Sequence, residues 1–418
     1  MTQHRANAAG MRFILVTLVL DILGIGIVIP VLPEIVTGML GGDESRAAFW
    51  YGSIAASYAL AQFLFAPVLG ALSDQVGRRP VLLVSLAGFG VNYVLFGLAP
   101  NLAWLFAARI LCGICGASFT TCNAYIADIS KPEDRARNFG LVGAAFGIGF
   151  IFGPALGGLL GELGPRVPLF VAAGLAGINW LYGFFVLPES LPLERRRRFS
   201  LREANPVGGL LRLQRYPFVA SLAVSFVLMM MAHRGLETVF VLYTSYRYGW
   251  EALQNGLGLG LVGLTAAVVQ GGMVRRVVTR FGERRTVLIG LTVATAGYAL
   301  YGLASAGWML LAVIVFASLG GLAGPAIQGL VTGTVDPSEQ GAIQGTLTSL
   351  TSLVSIFAPL ISTGLFSALT GEGAPLELPG APFFAAAAFA LLALLLIVRT
   401  FRVYPAPAPA AEAAPPSA

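Results

Sequence analysis

Gly70-Ala-Leu-Ser-Asp74-Gln-Val-Gly77-Arg78-Arg79-Pro80 is a short polar stretch set between two long apolar runs, 48–72 and 80–99. A membrane helix needs about 20 apolar residues to cross about 30 Å of hydrocarbon, and both neighbours are long enough. The stretch between them therefore reads as a turn on one face of a membrane. Gly77 permits a tight reversal of the chain. Asp74 can cap a helix N-terminus, and Arg78 can pair with a carboxylate across the same face, for which Asp128 is the natural candidate.

Outward from this turn, ten more apolar runs appear, at 11–33, 101–124, 137–160, 166–187, 217–245, 251–274, 285–304, 306–331, 341–369 and 381–400. The total is twelve spans. Composition agrees: of 418 residues, 56% are hydrophobic and 11% charged, against about 25% charged in soluble domains. Mean hydropathy is +0.80. These values exclude a soluble enzyme, a nucleic-acid-binding domain and a disordered chain. The high pI, about 9.4, does not signal nucleic acid, because the basic residues fall in short loops between apolar runs. The first run is too long for a signal peptide and lacks a small-residue cleavage site, so it is expected to stay as a spanning helix.

The basic residues orient the chain. With the N-terminus in the cytoplasm, 21 of the 26 lie on cytoplasmic segments. Only Arg46, Arg166 and Arg247 lie on the other side, and Arg109 and Arg234 lie inside spans. This asymmetry places both termini in the cytoplasm. Lys131 is the sole lysine among them; such Arg-rich, Ala/Gly-rich usage fits a GC-rich bacterium and its inner membrane. The longest polar segment, 189–216, carries Arg195–Arg198 and divides the spans six and six. The expected units are an N-terminal six-helix bundle (1–188), a cytoplasmic loop (189–216) with some attraction to anionic lipid, and a C-terminal six-helix bundle (217–402). The Pro/Ala tail 403–418 is expected to be disordered.

The two halves echo each other. Thr279-Arg-Phe-Gly282-Glu283-Arg284-Arg285 stands 205 residues beyond the first turn, and both turns lead into a helix beginning Val-Leu. A duplicated six-plus-six bundle is a transporter plan, in which two halves rock about a site near the midplane.

Enzyme signatures are missing: there is no G-x-S-x-G, no H-E-x-x-H and no G-x-x-x-x-G-K-[ST]. Cys112, Cys115 and Cys122 share one apolar stretch far from either His, so they read as packing residues, and neither a metal nor a cofactor is expected. The informative chemistry is charge inside spans, which is costly and therefore paired or functional. Asp21 lies about 12 Å into span one at 1.5 Å per residue. Desolvation there favours the protonated form, as a proton carrier needs. Arg109 stays charged when buried and offers several donors, so it can hold Asp21 ionised in one state and release it in another. His233, Arg234 and Glu237 form a third group in span seven, spaced i,i+4 and i,i+3. They read either as substrate contacts or a second protonation site, or as an ion pair near the outer mouth. Gln62, Asn92, Asn123, Gln270, Gln328 and Gln344 are candidate cavity-lining residues, with helix–helix contacts as the alternative. Met229–Met231 suit a soft, adaptable apolar surface.

These residues together resemble the major facilitator superfamily. The Gly70–Pro80 turn is similar to its signature loop. The resemblance implies an all-α fold of twelve transmembrane helices in two pseudo-symmetric six-helix bundles. It also implies that Gly70, Asp74, Gly77, Arg78, Arg79 and Asp128 form a gate that latches the halves when the cytoplasmic side is closed. Gly149-x-x-x-Gly153-Pro154-x-x-Gly157-Gly158 resembles the antiporter signature of the same superfamily; small residues at this spacing also allow close helix contact. Leu105-x-x-x-Arg109-x-x-x-Gly113-x-x-Gly116-Ala117 resembles its span-four arginine motif. Asp21-Ile-Leu-Gly24-Ile-Gly26-Ile-Val-Ile-Pro30-Val-Leu-Pro33 is similar to the drug/proton antiporters, in particular the tetracycline-resistance efflux pumps. Tyr58-Ala-Leu-x-Gln62, Ala124-Tyr-Ile-Ala-Asp128, Tyr248-Gly-Trp250 and Glu339-Gln340-Gly341 extend that likeness along the chain.

The resemblance implies a proton-coupled exporter of small amphiphilic or drug-like molecules, not an enzyme. Its partners would be substrate, protons and membrane lipids, without nucleic acid, and a monomer is expected. A metabolite importer or facilitator, or a lipid flippase, is the alternative on the same fold. Against the tetracycline pumps the chain departs at Asn92, Thr265 and Thr295, where those pumps, as aligned, carry an acid, a His and an acid. That argues against tetracycline itself as the substrate.

Overall fold

A computed structural model describes residues 3–116, 118–130, 135–196, 215–336, 339–371 and 374–405. Lys131, the stretch 197–214 with Arg197, Arg198, Arg202 and Arg212, and the tail from 406 lie outside the described residues. The described chain is helical, and in hydrocarbon a helix satisfies every backbone donor and acceptor within its own segment. Ten segments are long and apolar enough to cross a membrane. One of them, Ala252–Leu303, is two passes reversed at Gly282. Leu102–Cys115 and Ser118–Ile129 together make one more. Twelve spans result, numbered here in chain order.

Several spans are interrupted where the sequence suggested continuous helix. Span one runs Gln3–Val28, breaks beside Pro30, and resumes as Leu32–Met39 with Pro33 in its first turn, where a missing N–H costs nothing. It therefore outlasts its expected end at 33. Span four parts at Gly116. Span eight contains a π turn, Val269–Met273. Span ten is Gly307–Ser318, a 3₁₀ turn Leu319–Leu322, then Ala323–Thr334. Span entry is set by polar caps: Asp43 accepts from the Arg46 amide, Asn101 from the Trp104 amide, and Glu251 with Gln254 forms a capping box for span eight.

The internal repeat is visible in the backbone. Gly77 has φ 108°, ψ 159°, and Gly282 has φ 77°, ψ 162°. Both are conformations that a side chain disfavours. Packing repeats as well. Span one packs on five and six, three on six, and two on four; correspondingly, seven packs on eleven and twelve, nine on twelve, and eight on ten. Among the described residues, two extensive seams join the halves: five against eight, and two against eleven. Advancing each member of one seam by six spans, cyclically, gives the other.

The core shows where the halves meet. One apolar cluster takes residues from both, including Ile27, Phe96 and Leu169 from the first and Val239, Tyr301 and Phe383 from the second. Toward the face that bears the Gly70–Pro80 turn, hereafter the Arg-rich face, the core divides. Phe13, Leu86 and Tyr125 belong to a cluster confined to the first half, and Val219, Leu291 and Ile343 to one confined to the second. Burial in span two accordingly runs from Ala47 to Ala61, with only Ser73 beyond. The halves are closed near the opposite face and part toward the Arg-rich face.

Candidate functional site

Between the halves, at mid-depth, lies a crevice with charged walls. His233, Arg234 and Glu237 sit at the middle of span seven, Pro217–Tyr248, and not near its outer mouth. Arg234 Nη1 donates to Glu237 Oε2 at 2.7 Å, and His233 Nε2 lies 3.4 Å from Glu237 Oε1. Solvent reaches 51% of the Arg234 side chain, which at mid-helix marks a water-accessible crevice. Span two faces this group with tyrosines. Tyr58 feels both Arg109 and Arg234, and Tyr51 feels Arg109 and Glu237. Arg109 lies over aromatic rings, its guanidinium carbon 5.0 Å from the Phe96 centroid and 5.6 Å from that of Tyr58.

Asp21 is elsewhere. Its carboxyl is buried in the first half, where Asn179 of span six donates to Oδ1 at 3.4 Å while Thr17 donates to Asn179 Oδ1 at 3.1 Å. Asp21 Oδ2 has no hydrogen-bond partner among the described residues. The expected Asp21–Arg109 pair is absent among the described ion pairs: the two side chains belong to different neighbours. Asn179 was not anticipated, although a lone amide in an apolar span is a readable signal.

The candidate cavity residues divide. Gln62 donates to the Gly116 carbonyl at 3.2 Å, so it satisfies the break in span four. Gln344 donates to Gln328 Oε1 at 3.1 Å and ties span eleven to span ten. Asn92 is 1% exposed, which puts it in the core and not on a cavity wall. Asn123 is exposed. Gln270 and Thr265 line a cavity in the second half together with His233. The Thr265 and Thr295 hydroxyls bond to their own helices, at Leu261 and Leu291.

The turn at the Arg-rich face is built around Arg78, only 8% exposed. Its Nη1 meets Asp74 at 2.5 Å and donates to Ser73 Oγ at 2.6 Å, and its Nε donates to Asp128 at 3.1 Å. Asp74 is thus a partner of Arg78 within the last turn of span two, not a cap. The cap of span three is Glu189, which the sequence did not single out. It accepts from the amides of Arg78 at 2.9 Å and Arg79 at 3.3 Å, where a negative charge suits a helix N-terminus. Arg79 also donates to the Phe184 carbonyl at 2.8 Å. Gly70 lies in the last turns of the same helix, its carbonyl accepting from Ser73. These bonds all fall within the first half and the Glu189 that directly follows it; none reaches the second half. At the same face Tyr216 donates to Glu339 at 2.6 Å, and that bond to a carboxylate raises the phenol pKa above its ordinary value.

Span five presents its small residues to two partners. A Cβ on Gly149 would meet Ile22, one on Gly153 would lie 2.8 Å from Gly26 Cα, and one on Gly157 would meet the Ile27 backbone. Gly158 faces the other way, onto Ala252 and Leu253 of span eight, and Gly256 closes on the Pro154 carbonyl. The motif therefore forms both the one–five contact and the five–eight seam.

The sequence matches the Major Facilitator Superfamily over residues 14–280 and 273–417. It is 42% identical to the class C tetracycline resistance protein of Escherichia coli, over 85% of this chain and 89% of that one. It is 37% identical to the class G tetracycline resistance protein of Vibrio anguillarum, over 84% and 89%. Among solved structures, the human organic anion transporter MFSD10 superposes with a TM-score of 0.69 at 26% identity, over 94% of this chain and 99% of that one. Twelve spans, a duplicated turn, two matched seams and this similarity agree: the chain is a multi-pass membrane transporter that belongs to the major facilitator superfamily.

Proposed function

We propose that the protein exports small amphiphilic, drug-like molecules in exchange for protons, by alternating access between the two faces. The observation that carries this reading is the half-exposed charged group of His233, Arg234 and Glu237 at mid-depth, in a crevice closed at one face only, with Arg109 held against Tyr58 of span two. Relatives that are tetracycline resistance proteins support drug export over import. In this reading Asp21 carries the proton. Its buried carboxyl has one oxygen held by Asn179 and one without a partner, so small rearrangements of span one against span six change which form is favoured. Arg109, Arg234 and Glu237 contact substrate. The Arg78 cluster with Asp128 keeps the first half's turn rigid, so that it can meet the second half when the Arg-rich face closes. The units divide at 188 and 217. The Arg-rich face is cytoplasmic, in a bacterial inner membrane, with lipid around a monomer.

Purified protein in sealed liposomes tests this. With an imposed pH gradient, addition of amphiphilic compounds, tetracycline among them, should produce substrate-dependent proton movement that Asp21→Asn abolishes. Gradient-independent uptake of a labelled compound, equal in wild type and Asp21→Asn, would refute proton exchange.

A further inference from the structure

Behind His233 the second half forms an open-sided cavity of about 220 Å³. Met229, Met230, Gln270, Tyr298 and Gly321 are among its walls. Two departures from α geometry bound it: the π turn of span eight and the 3₁₀ turn of span ten, which touch each other. Such turns re-aim side chains and recur at functional positions. Space remains beside them, since a Cβ on Gly321 would meet no heavy atom within 4 Å. Pockets for whole drug-sized molecules hold about 300–1,000 Å³, so this one fits a ring system and not a complete substrate. Methionine walls adapt to rings of varied shape.

The charges around the crevice do not balance. Glu237 is shared by Arg234 and His233. Among the described residues Arg109 has no carboxylate within ion-pair distance and its Nε has no hydrogen-bond partner. Asp21 faces Asn179, inside the first half. Two guanidinium groups, Arg109 and Arg234, therefore face the one carboxylate of Glu237, and one positive charge stays uncompensated. Taking it further out of water is unfavourable until an anion arrives.

We propose that the crevice takes an aromatic amphiphile carrying a single negative charge, its rings in the cavity behind His233 and its acid group on the Arg109 side. This rests on the exporter reading and names the substrate class of that site. A cation of the same shape meets like charge and is rejected.

Equilibrium dialysis of the purified full chain in lipid nanodiscs, with empty discs as the blank, tests it using radiolabelled 2-naphthoate and (2-naphthylmethyl)trimethylammonium. Wild type should bind the anion about 10-fold or more tightly than the cation. Gly321→Phe, which places a ring in open space, should weaken naphthoate binding by about 10-fold or more. Arg109→Gln should erase the preference between the probes. Equal or tighter binding of the cation, or no binding of either, overturns the proposal; so does unchanged naphthoate affinity in Gly321→Phe, even if Arg109→Gln fails to fold. Failure of the exporter reading shows separately, as normal naphthoate binding without substrate-dependent proton movement in liposomes.

Discussion

Glu189 accepts four backbone amides, those of Arg78, Arg79, Ser190 and Leu191. It thereby fixes the start of span three to the end of span six. Glu189→Ala removes a charged cap and leaves the part-buried amides of Arg78 and Leu191 without this acceptor, so it should destabilise the protein by about 1–2 kcal/mol. Thermal melting in detergent measures this, and Glu189→Gln, which keeps one acceptor oxygen, should recover part of the loss. Nothing in the Pro188-Glu189-Ser190 sequence announces the role, because a cap from another segment depends on tertiary position alone. Arg78 and Asp128 were legible as partners, since both sit at the same end of adjacent passes. Asp21 and Arg109 were legible as charges inside spans, but the expected pairing between them is not what the structure shows. Which neighbour a buried side chain meets depends on the rotation of its helix, and an apolar span does not encode that in its own composition.

At the scale of the element, the stripe Gly149, Gly153, Gly157 was readable from its i,i+4 spacing, and the structure sets it against span one. Gly158, one residue on, serves the seam with span eight. Gly158→Leu should therefore stop that seam from closing and abolish transport in liposomes. Gly147→Leu, in the same helix but with nothing within 4 Å of its Cβ, should keep most activity. Equal loss in both would mean that span five tolerates no bulk anywhere and that the seam is not the cause. The π turn of span eight and the 3₁₀ turn of span ten were not legible. An apolar run satisfies the membrane equally well with i+3, i+4 or i+5 bonding, and the two turns pack on each other.

The whole molecule shows one shared core near one face and two separate cores near the other. Span number, the two halves and the Arg-rich face followed from length and charge. The side that stands open did not, because it is a choice between two packings of the same sequence. Ser45 donates to the Ser367 carbonyl at 2.8 Å, with the hydroxyl oxygens 3.3 Å apart, across the seam of spans two and eleven. A Ser45→Cys/Ser367→Cys double variant should form a disulfide that holds the opposite face shut. Transport should fall at least about 10-fold on oxidation and return with reductant, which is the behaviour expected if that face must open once per cycle. Full activity in the cross-linked protein would refute alternating access at this seam.

The two seams are related by the internal repeat, and both lie between the same two halves. Halves that rock as rigid bodies carry both seams together and do not work as a pair of independent flaps. A fluorophore pair spanning either seam of one molecule should therefore flicker between two brightness levels, with no dwell at a third, and both seams should keep the same time.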